Sequence, residues 1–152
     1  MFQRLSVNPT QFAAARQVWQ GSEPVGEFER LAQETLNPDA LLHYRIEGGK
    51  DKMGRVLMML TLEGRLELAC QRCLGPLVHA FEVNKIFYPV ETTERLEQLE
   101  RELSFEADPD VEVIEVGSML DLAALIEDEV LLGLPVIPMH PEGACQPSAD
   151  QV

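Results

Sequence analysis

The chain has 152 residues, 45% of them hydrophobic, a composition that excludes an intrinsically disordered protein and suffices for one domain with a hydrophobic core. Charged residues interrupt every apolar stretch well before membrane-spanning length, so the sequence predicts no transmembrane helix. The 26 acidic and 12 basic residues give a net charge of −14, and the absence of Lys and Arg after Arg101 excludes phosphate binding by the C-terminal third.

The acidic residues are unevenly placed along the chain. Residues 1–101 carry 14 acidic and 12 basic side chains, a net charge of −2, whereas residues 102–152 carry 12 acidic and no basic side chains. An acidic surface of this kind either keeps a protein in solution or attracts a basic partner and accelerates the encounter. Charge alone favours the first interpretation over the second.

The N-terminus and the cysteine count indicate the compartment. Met1-Phe2-Gln3-Arg4 leads into polar residues rather than into the apolar run of a signal sequence. The three cysteines make an odd number, which argues against the disulfide framework of a small secreted protein. We therefore expect the protein in the cytoplasm, with metal, redox or structural roles open for its thiols.

The N-terminal region has the pattern of a helix. Asn8 is a good N-cap, Pro9 suits the first helical position, and Phe12, Ala15 and Trp19 fall on one face at helical spacing. The sequence therefore predicts a helix that begins at Pro9 and extends to about Trp19.

A second helix is predicted from about Pro24 to Leu36. Phe28, Leu31 and Leu36 would face inward, and Asn37-Pro38 would end the helix because a residue that precedes proline disfavours the helical region.

The middle of the chain changes to a period of two residues, which indicates strands. Predicted strands cover Leu42 to Ile46, Val56 to Leu62, Leu66 to Cys70 and Leu77 to Tyr88. Turns are predicted at Gly48-Gly49-Lys50-Asp51 and at Glu63-Gly64. Tight turns between short strands favour antiparallel pairing, since parallel pairing needs long crossovers.

The C-terminal third is predicted to return to helix. The predicted elements are a Glu-rich helix from Glu91 to Glu102, a loop from Phe105 to Asp110, an edge strand from Val111 to Val116, and an apolar helix from Leu120 to about Leu132, capped by Ser118 and stopped by Pro135 and Pro138. The predicted fold is α+β: a curled antiparallel sheet with N-terminal helices and the C-terminal apolar helix packed on it. Residues 1–140 would form one domain and residues 141–152 a flexible tail.

The motif Cys70-Gln71-Arg72-Cys73 lies where two predicted strands join, with Gly75-Pro76 behind it. A tight turn that carries two cysteines is one half of many structural zinc sites, which need four ligands in a tetrahedral arrangement. His140 and Cys145 are the candidates for the other half. Zinc is therefore the candidate cofactor of this chain.

Two other interpretations of the cysteine pair stay open. The pair could simply fill a turn, with Cys70 pointing into the core. It could also be the dithiol of a thiol-disulfide oxidoreductase, although the flanking sequence lacks the βαβ context typical of that class.

No catalytic motif is visible elsewhere in the sequence, so we expect a protein that is not an enzyme. Glu127-Asp128-Glu129 clusters three carboxylates on the apolar helix. Successive helical side chains differ by about 100° in direction, so the three cannot face one metal ion. They form either a solvated face or, together with Arg72, a binding site for a partner.

Two stretches of the sequence carry a family resemblance. The first is Leu68-Ala69-Cys70-Gln71-Arg72-Cys73, followed by Pro76 and Phe81. The second is Asp121-Leu122 through Ile126-Glu127-Asp128-Glu129, continuing to Leu134-Pro135 and Pro138-Met139-His140. In order and spacing these stretches resemble the bacterial YceD family, the large ribosomal RNA subunit accumulation proteins.

The resemblance implies a role in accumulation or maturation of 23S ribosomal RNA and in assembly of the large subunit, with no catalytic residues to carry over. The composition suggests a mechanism that the resemblance does not supply: the acidic C-terminal third would hold a basic partner, a large-subunit ribosomal protein or a pre-50S particle. Any direct RNA contact would fall around Arg65, Arg72 and Lys85. Many relatives have further cysteines in the C-terminal tail that would complete a metal site, whereas this chain has only Cys145 there, with His140 nearby. A zinc-stabilised interaction module is compatible with this role.

Overall fold

The computed structural model describes residues 5–103 and 110–145, and its centre is a five-stranded sheet with the order β2-β3-β4-β5-β6. The strands of this sheet are β2 (Val18–Pro24), β3 (Leu41–Lys50), β4 (Val56–Ala69), β5 (Pro76–Val90) and β6 (Val111–Glu115). Two short strands pair separately from it, β1 (Ser6–Val7) and β7 (Leu120–Asp121). The α+β prediction is confirmed.

The helices of these residues are α1 (Pro9–Ala14), α2 (Glu29–Glu34), α3 (Thr93–Leu103) and α4 (Leu122–Leu132), with a 3-10 turn at Val25–Glu27. One face of the sheet forms the main core with α1, α2 and α4, and α3 covers part of the other face, where Leu99 packs with Leu57, Tyr88 and Val90. None of these helices has the length and apolar character that crossing a bilayer requires.

The edge strand β6 pairs with β5 in parallel, so the sheet is mixed rather than wholly antiparallel. Its position is close to the predicted Val111–Val116 strand. The physical reason for the parallel pairing is α3, which lies between β5 and β6 in the chain and provides the crossover that parallel neighbours need. The predicted loop from Phe105 to Asp110 lies, apart from Asp110, outside the described residues.

Strand β4 passes straight through Glu63-Gly64, so the predicted turn there is wrong. Gly64 pairs with Leu42 on one side and with Phe81 on the other. A Cβ atom at this position would lie 2.7 Å from the Phe81 ring. Because glycine has no Cβ atom, the ring can lie directly against the backbone of β4.

Strand β3 likewise continues through Gly48 and Gly49, and the turn follows at Asp51–Arg55. Helix α1 packs so closely on β3 that a Cβ atom on Gly48 would lie 2.6 Å from the Phe12 carbonyl oxygen. At Gly49 the nearest atoms are side-chain carbons of Leu57 and Met59, at 3.7 and 3.9 Å. Two adjacent glycines therefore have different roles.

Replacing Gly48 with Ala is expected to lower the free energy of unfolding by about 2 to 4 kcal/mol, because the new methyl group overlaps backbone atoms of α1. The matched variant Gly49→Ala should change it by less than about 1 kcal/mol, since its methyl group meets only ordinary van der Waals contacts. Urea unfolding of both variants checks this, and equal midpoints would contradict the packing argument.

The N-terminal helices are shorter than predicted. Helix α1 is capped by Asn8 as expected but ends at Ala14, and Arg16 follows with a φ of 53°. This reversal places Trp19 in β2, where its ring centroid lies 4.6 Å from that of Tyr44. Of the three residues predicted to share one helical face, Phe12 in the helix and Trp19 in the strand pack on the main core, whereas Ala15, the C-cap of α1, is exposed.

Helix α2 begins at Glu29, five residues after the predicted start, because Pro24 belongs to β2. Phe28 and Leu31 are buried as predicted, whereas Leu36 lies beyond the helix and is 52% exposed.

Helix α4 is capped by Asp121, not by Ser118, since the Asp121 carboxylate accepts a hydrogen bond from the Ala124 backbone N–H. Leu120 and Asp121 pair with β1 as strand β7, so the helix cannot begin earlier. Leu122, Ile126 and Val130 face the sheet and are buried, which fits the predicted apolar helix.

A polar network closes the turn between β3 and β4. Asp51 accepts hydrogen bonds from the Arg55 guanidinium at 2.7 Å and the Tyr88 hydroxyl at 3.0 Å. Burial alone would raise the pKa of Asp51, but these donors and the backbone N–H groups of Arg55 and Met53 lower it below 3.8.

Because the folded-state pKa of Asp51 is lowered, the stability that it contributes is complete above pH 3.8 and is lost as the pH falls through the folded value. We expect Asp51→Asn to be less stable than the wild type at neutral pH and to lose less stability on acidification. Asp39→Asn, at an exposed position, is the control. Parallel stability curves for wild type and Asp51→Asn below pH 4 would refute the linkage.

Candidate metal centre

The turn from Cys70 to Gly75 connects the two longest strands, β4 and β5. The Cys70 N–H donates to the Gly75 carbonyl at 2.9 Å, and the Leu74 N–H donates to the Cys70 carbonyl at 2.7 Å. Leu74 has a φ of 61°, so the chain reverses within this turn. Cys70 is fully buried and Cys73 is 9% exposed, which leaves the two sulfurs on the inner side of the turn.

The segment after α4 carries the other candidate ligands to this turn. Helix α4 ends at Leu132 with Gly133 as its C-cap, and Pro135 and Pro138 prevent its continuation. The segment then crosses the turn, where the Gln71 N–H donates to the Pro138 carbonyl at 2.8 Å. This backbone bond places His140 beside the two cysteines.

Four candidate ligand atoms converge here, from Cys70, Cys73, His140 and Cys145, and all lie within 4.8 Å of one another. The Cys70 and Cys145 sulfurs are 3.7 Å apart. His140 Nδ1 lies 3.4 Å from the Cys73 sulfur and 3.6 Å from the Cys145 sulfur. The structure thus brings together all four residues that the sequence singled out as metal ligands.

These separations fit a tetrahedral zinc ion. With Zn–S bonds of about 2.3 Å and Zn–N bonds of about 2.0 Å, tetrahedral angles separate two sulfurs by about 3.8 Å and a sulfur from a nitrogen by about 3.5 Å. Three of the six separations, at 3.7, 3.4 and 3.6 Å, are close to these values, and the other three lie within 4.8 Å. Three sulfurs and one imidazole nitrogen are also a ligand set typical of structural zinc.

The imidazole of His140 has a partner on each ring nitrogen. Nε2 lies 3.0 Å from the Pro76 carbonyl oxygen, which can only accept a hydrogen bond. This contact favours the tautomer with the proton on Nε2, so that Nδ1 presents its lone pair to the sulfurs. A backbone carbonyl that orients a ligating histidine in this way is a common feature of metal sites.

Backbone N–H groups surround the Cys70 sulfur. Burial alone would raise the pKa of this thiol, but the N–H groups of Cys73, His140 and Arg72 donate to it and lower its pKa to about 5. Burial, reinforced by the neighbouring sulfurs, raises the pKa of Cys145 to about 11. The cluster therefore favours a thiolate at Cys70 and disfavours further negative charge at Cys145.

A lowered thiol pKa is common to zinc ligands and redox dithiols, but the two kinds of site differ in how accessible their sulfur atoms are. A redox thiolate must reach the disulfide of its substrate, whereas Cys70 is fully buried beneath the crossing segment. Cys70 also lies at the end of a strand and not at a helix N-terminus. These features fit a closed metal site better than a dithiol active site.

The three carboxylates of α4 have different surroundings, so the interpretation as one solvated face is wrong. Glu127 is 3% exposed and accepts hydrogen bonds from the Arg30 guanidinium at 2.9 Å and from the backbone N–H groups of Arg30 and Leu31. Asp128, whose side chain is 52% exposed, pairs with the same guanidinium at 2.7 Å. Of the three, Asp128 is the one open to a partner.

Glu129 is 8% exposed and pairs with Lys85 at 3.2 Å. Lys85 also pairs with Glu112 at 2.7 Å, and its side chain is only 18% exposed. These ion pairs argue against the prediction that Lys85 contacts RNA, because its charge is paired with carboxylates of the same chain. Arg72 is exposed, with its guanidinium 3.9 Å from the Met139 sulfur, and its predicted role in partner binding stays a prediction.

Sequence reasoning did not identify the partners of these residues. Arg30 is 97 positions from Glu127, and an ion pair at that separation leaves no local pattern. The Pro76 carbonyl next to His140 is a backbone group and has no signal in the sequence beyond its position after the cysteine turn.

Comparisons with known proteins cover most of the chain. Residues 58–152 match a family model described as "Large ribosomal RNA subunit accumulation protein YceD", a range that includes all four candidate ligands. A curated protein of that name from Haemophilus influenzae is 29% identical over 147 residues, which span 97% of this chain and 81% of the relative. No solved structure matches the chain.

Proposed function

Because the chain belongs to the YceD family of large ribosomal RNA subunit accumulation proteins, we propose that it supports accumulation of 23S ribosomal RNA and assembly of the large subunit in the cytoplasm. The family match over residues 58–152 is the observation that carries this proposal. The molecular activity that we propose is binding of a ribosomal protein or a pre-50S particle, without catalysis.

The geometry of the cysteine and histidine cluster supports a non-catalytic role. Catalytic zinc sites have three protein ligands and an open position for water or substrate, whereas structural sites use four protein ligands. Cys70, Cys73, His140 and Cys145 together would fill all four positions. We therefore assign the cluster as a structural metal centre, with zinc as the ion that it fits.

This centre would crosslink two parts of the chain. Cys70 and Cys73 belong to the turn between the longest strands, and His140 and Cys145 belong to the segment after α4. Zinc, when bound, supplies the positive charge that keeps several adjacent thiols deprotonated. The chain's own contribution is the Gln71–Pro138 backbone bond and the orientation of His140 by the Pro76 carbonyl.

The arrangement of charges in the fold supports binding of a protein partner rather than direct binding of RNA. Arg30, Arg55 and Lys85 pair with carboxylates of the same chain, among them Glu102 and Glu129. Binding of phosphates depends on cations that are free to replace counterions. With its net charge of −14, the chain is expected to attract basic proteins and to repel RNA.

The proposal is tested in a bacterium that lacks the gene. We expect the deletion to lower the ratio of mature 23S to 16S ribosomal RNA and to reduce 50S particles in sucrose gradients, and we expect the wild-type gene to restore both. Cys73→Ser should restore less than wild type at an equal protein level. Normal 23S levels and normal gradients in the deletion strain would refute the proposed role.

A further inference from the structure

The segment after α4 exposes an unusual amount of apolar surface. Val136 is 98% exposed, Ile137 63% and Met139 46%, and Leu132 at the end of α4 is 76% exposed. Leu74, in the cysteine turn that this segment crosses, is 72% exposed. Single exposed apolar residues are ordinary, but a concentration of them in one segment marks an interaction site.

A groove lies beside this segment, between it and the residues that follow α2. It has a volume of about 300 Å³. Leu36, Leu134, Val136 and Pro138 contribute apolar lining, and the acidic residue Glu34 also lines the groove. Leu36 is itself 52% exposed, so the apolar surface continues across the groove. A recess of this size suits an apolar side chain inserted from a partner.

The backbone of the segment is held at both ends. Two prolines, Pro135 and Pro138, fix the backbone, and the Gln71–Pro138 hydrogen bond ties it to the cysteine turn. Leu134 packs against the main core and anchors the other end. A rigid apolar surface loses little conformational entropy on binding, which favours its use as a docking site.

Charge and composition decide what can occupy this surface. A second copy would bring together two chains with a net charge of −14 each. RNA would find an apolar surface with one exposed cation beside it, Arg72, whose guanidinium lies 3.9 Å from the Met139 sulfur, and the C-terminal third itself has neither Lys nor Arg.

A basic protein segment fits both features of the surface. Its apolar side chain would fill the groove, and its Lys or Arg residues would face Glu34 in the lining and Glu142, which lies two residues after His140 and is exposed. Resting on the proposed function, we propose that the groove and the Val136–Met139 segment dock a basic ribosomal protein of the large subunit. The metal centre holds this docking surface at one end.

Site-specific photo-crosslinking tests this docking surface. A photo-reactive phenylalanine derivative is placed at position 136 of the full chain, and the purified protein is mixed with proteins and RNA extracted from large ribosomal subunits. Position 53 is the matched control, because Met53 is also apolar and 77% exposed but lies in the turn between β3 and β4. We expect a basic ribosomal protein to be crosslinked from position 136 and not from position 53.

The crosslinked protein is then purified and its affinity measured with charge-introducing variants. Val136→Asp should weaken binding at least tenfold, whereas Met53→Asp should leave it unchanged within a factor of two. Crosslinks from position 136 to RNA or to a second copy, or equal crosslinking from both positions, would overturn the proposal. The deletion experiment is independent of this outcome, since a 23S deficit with an inert Val136→Asp change would refute the docking surface but not the proposed function.

Discussion

Replacing Cys73 with Ser is expected to remove about one zinc ion per chain, because a structural zinc site rarely survives on three ligands. The ion would close a loop of more than sixty residues between Cys73 and His140. A crosslink over such a loop contributes about 2 to 5 kcal/mol, which corresponds to a fall in Tm of roughly 5 to 15 °C for a domain of this size. Elemental analysis and thermal unfolding measure the two effects.

The chain offers a matched pair of histidines for the same measurement. His140→Asn should lose zinc like Cys73→Ser, whereas His43→Asn should keep it, because His43 is exposed and contacts Ser22 on the neighbouring strand. A chelator should lower the Tm of the wild type to that of Cys73→Ser and leave the variant unchanged. Retention of one zinc ion by both His140→Asn and Cys73→Ser would disprove the assigned ligands.

Removing the carboxylate of Glu127 is the second change from which we expect a large effect. Glu127→Ala leaves the buried Leu31 N–H and the part-buried Arg30 N–H without their acceptor and breaks the pair with the Arg30 guanidinium. Loss of one member of a buried charged network typically costs about 2 to 4 kcal/mol. Urea unfolding should therefore show a clearly lower midpoint than that of the wild type.

Asp128→Ala is the control for Glu127→Ala, since it removes a neighbouring carboxylate that pairs with the same guanidinium. The Asp128 side chain is 52% exposed, and exposed ion pairs contribute less than about 1 kcal/mol. The ratio of the two losses in free energy of unfolding distinguishes a buried, hydrogen-bonded carboxylate from an exposed one. Equal losses of stability in the two variants would mean that Glu127 has no special structural role.

The central strands could be predicted from the sequence because the sheet buries one face along most of its length. Leu42, Tyr44 and Ile46 alternate with exposed residues, and the burial of β3 follows that alternation. The length of β4 could not be predicted, since the glycine at position 64 resembles a turn signal. The ring of Phe81, which requires that glycine, comes from the next strand.

The candidate metal centre was predictable in its residues but not in its geometry. Cys70 and Cys73 have a recognisable spacing, whereas Cys145 is 75 positions from Cys70. Only the path of the segment after α4, fixed by its prolines and the Gln71–Pro138 bond, shows that the two halves meet. The burial of Glu127 and Glu129 was not predictable, because their cationic partners come from distant elements.

The long-range contacts of α4 determine when this protein can fold during its own synthesis. The core face of the sheet is covered by α4, and Glu127 reaches its partner Arg30 across 97 positions. A ribosome adds roughly 5 to 20 residues per second, so the strands emerge several seconds before the helix that covers them. The nascent sheet therefore stays open until α4 has been synthesised, and the cysteine turn gains His140 and Cys145 only after that.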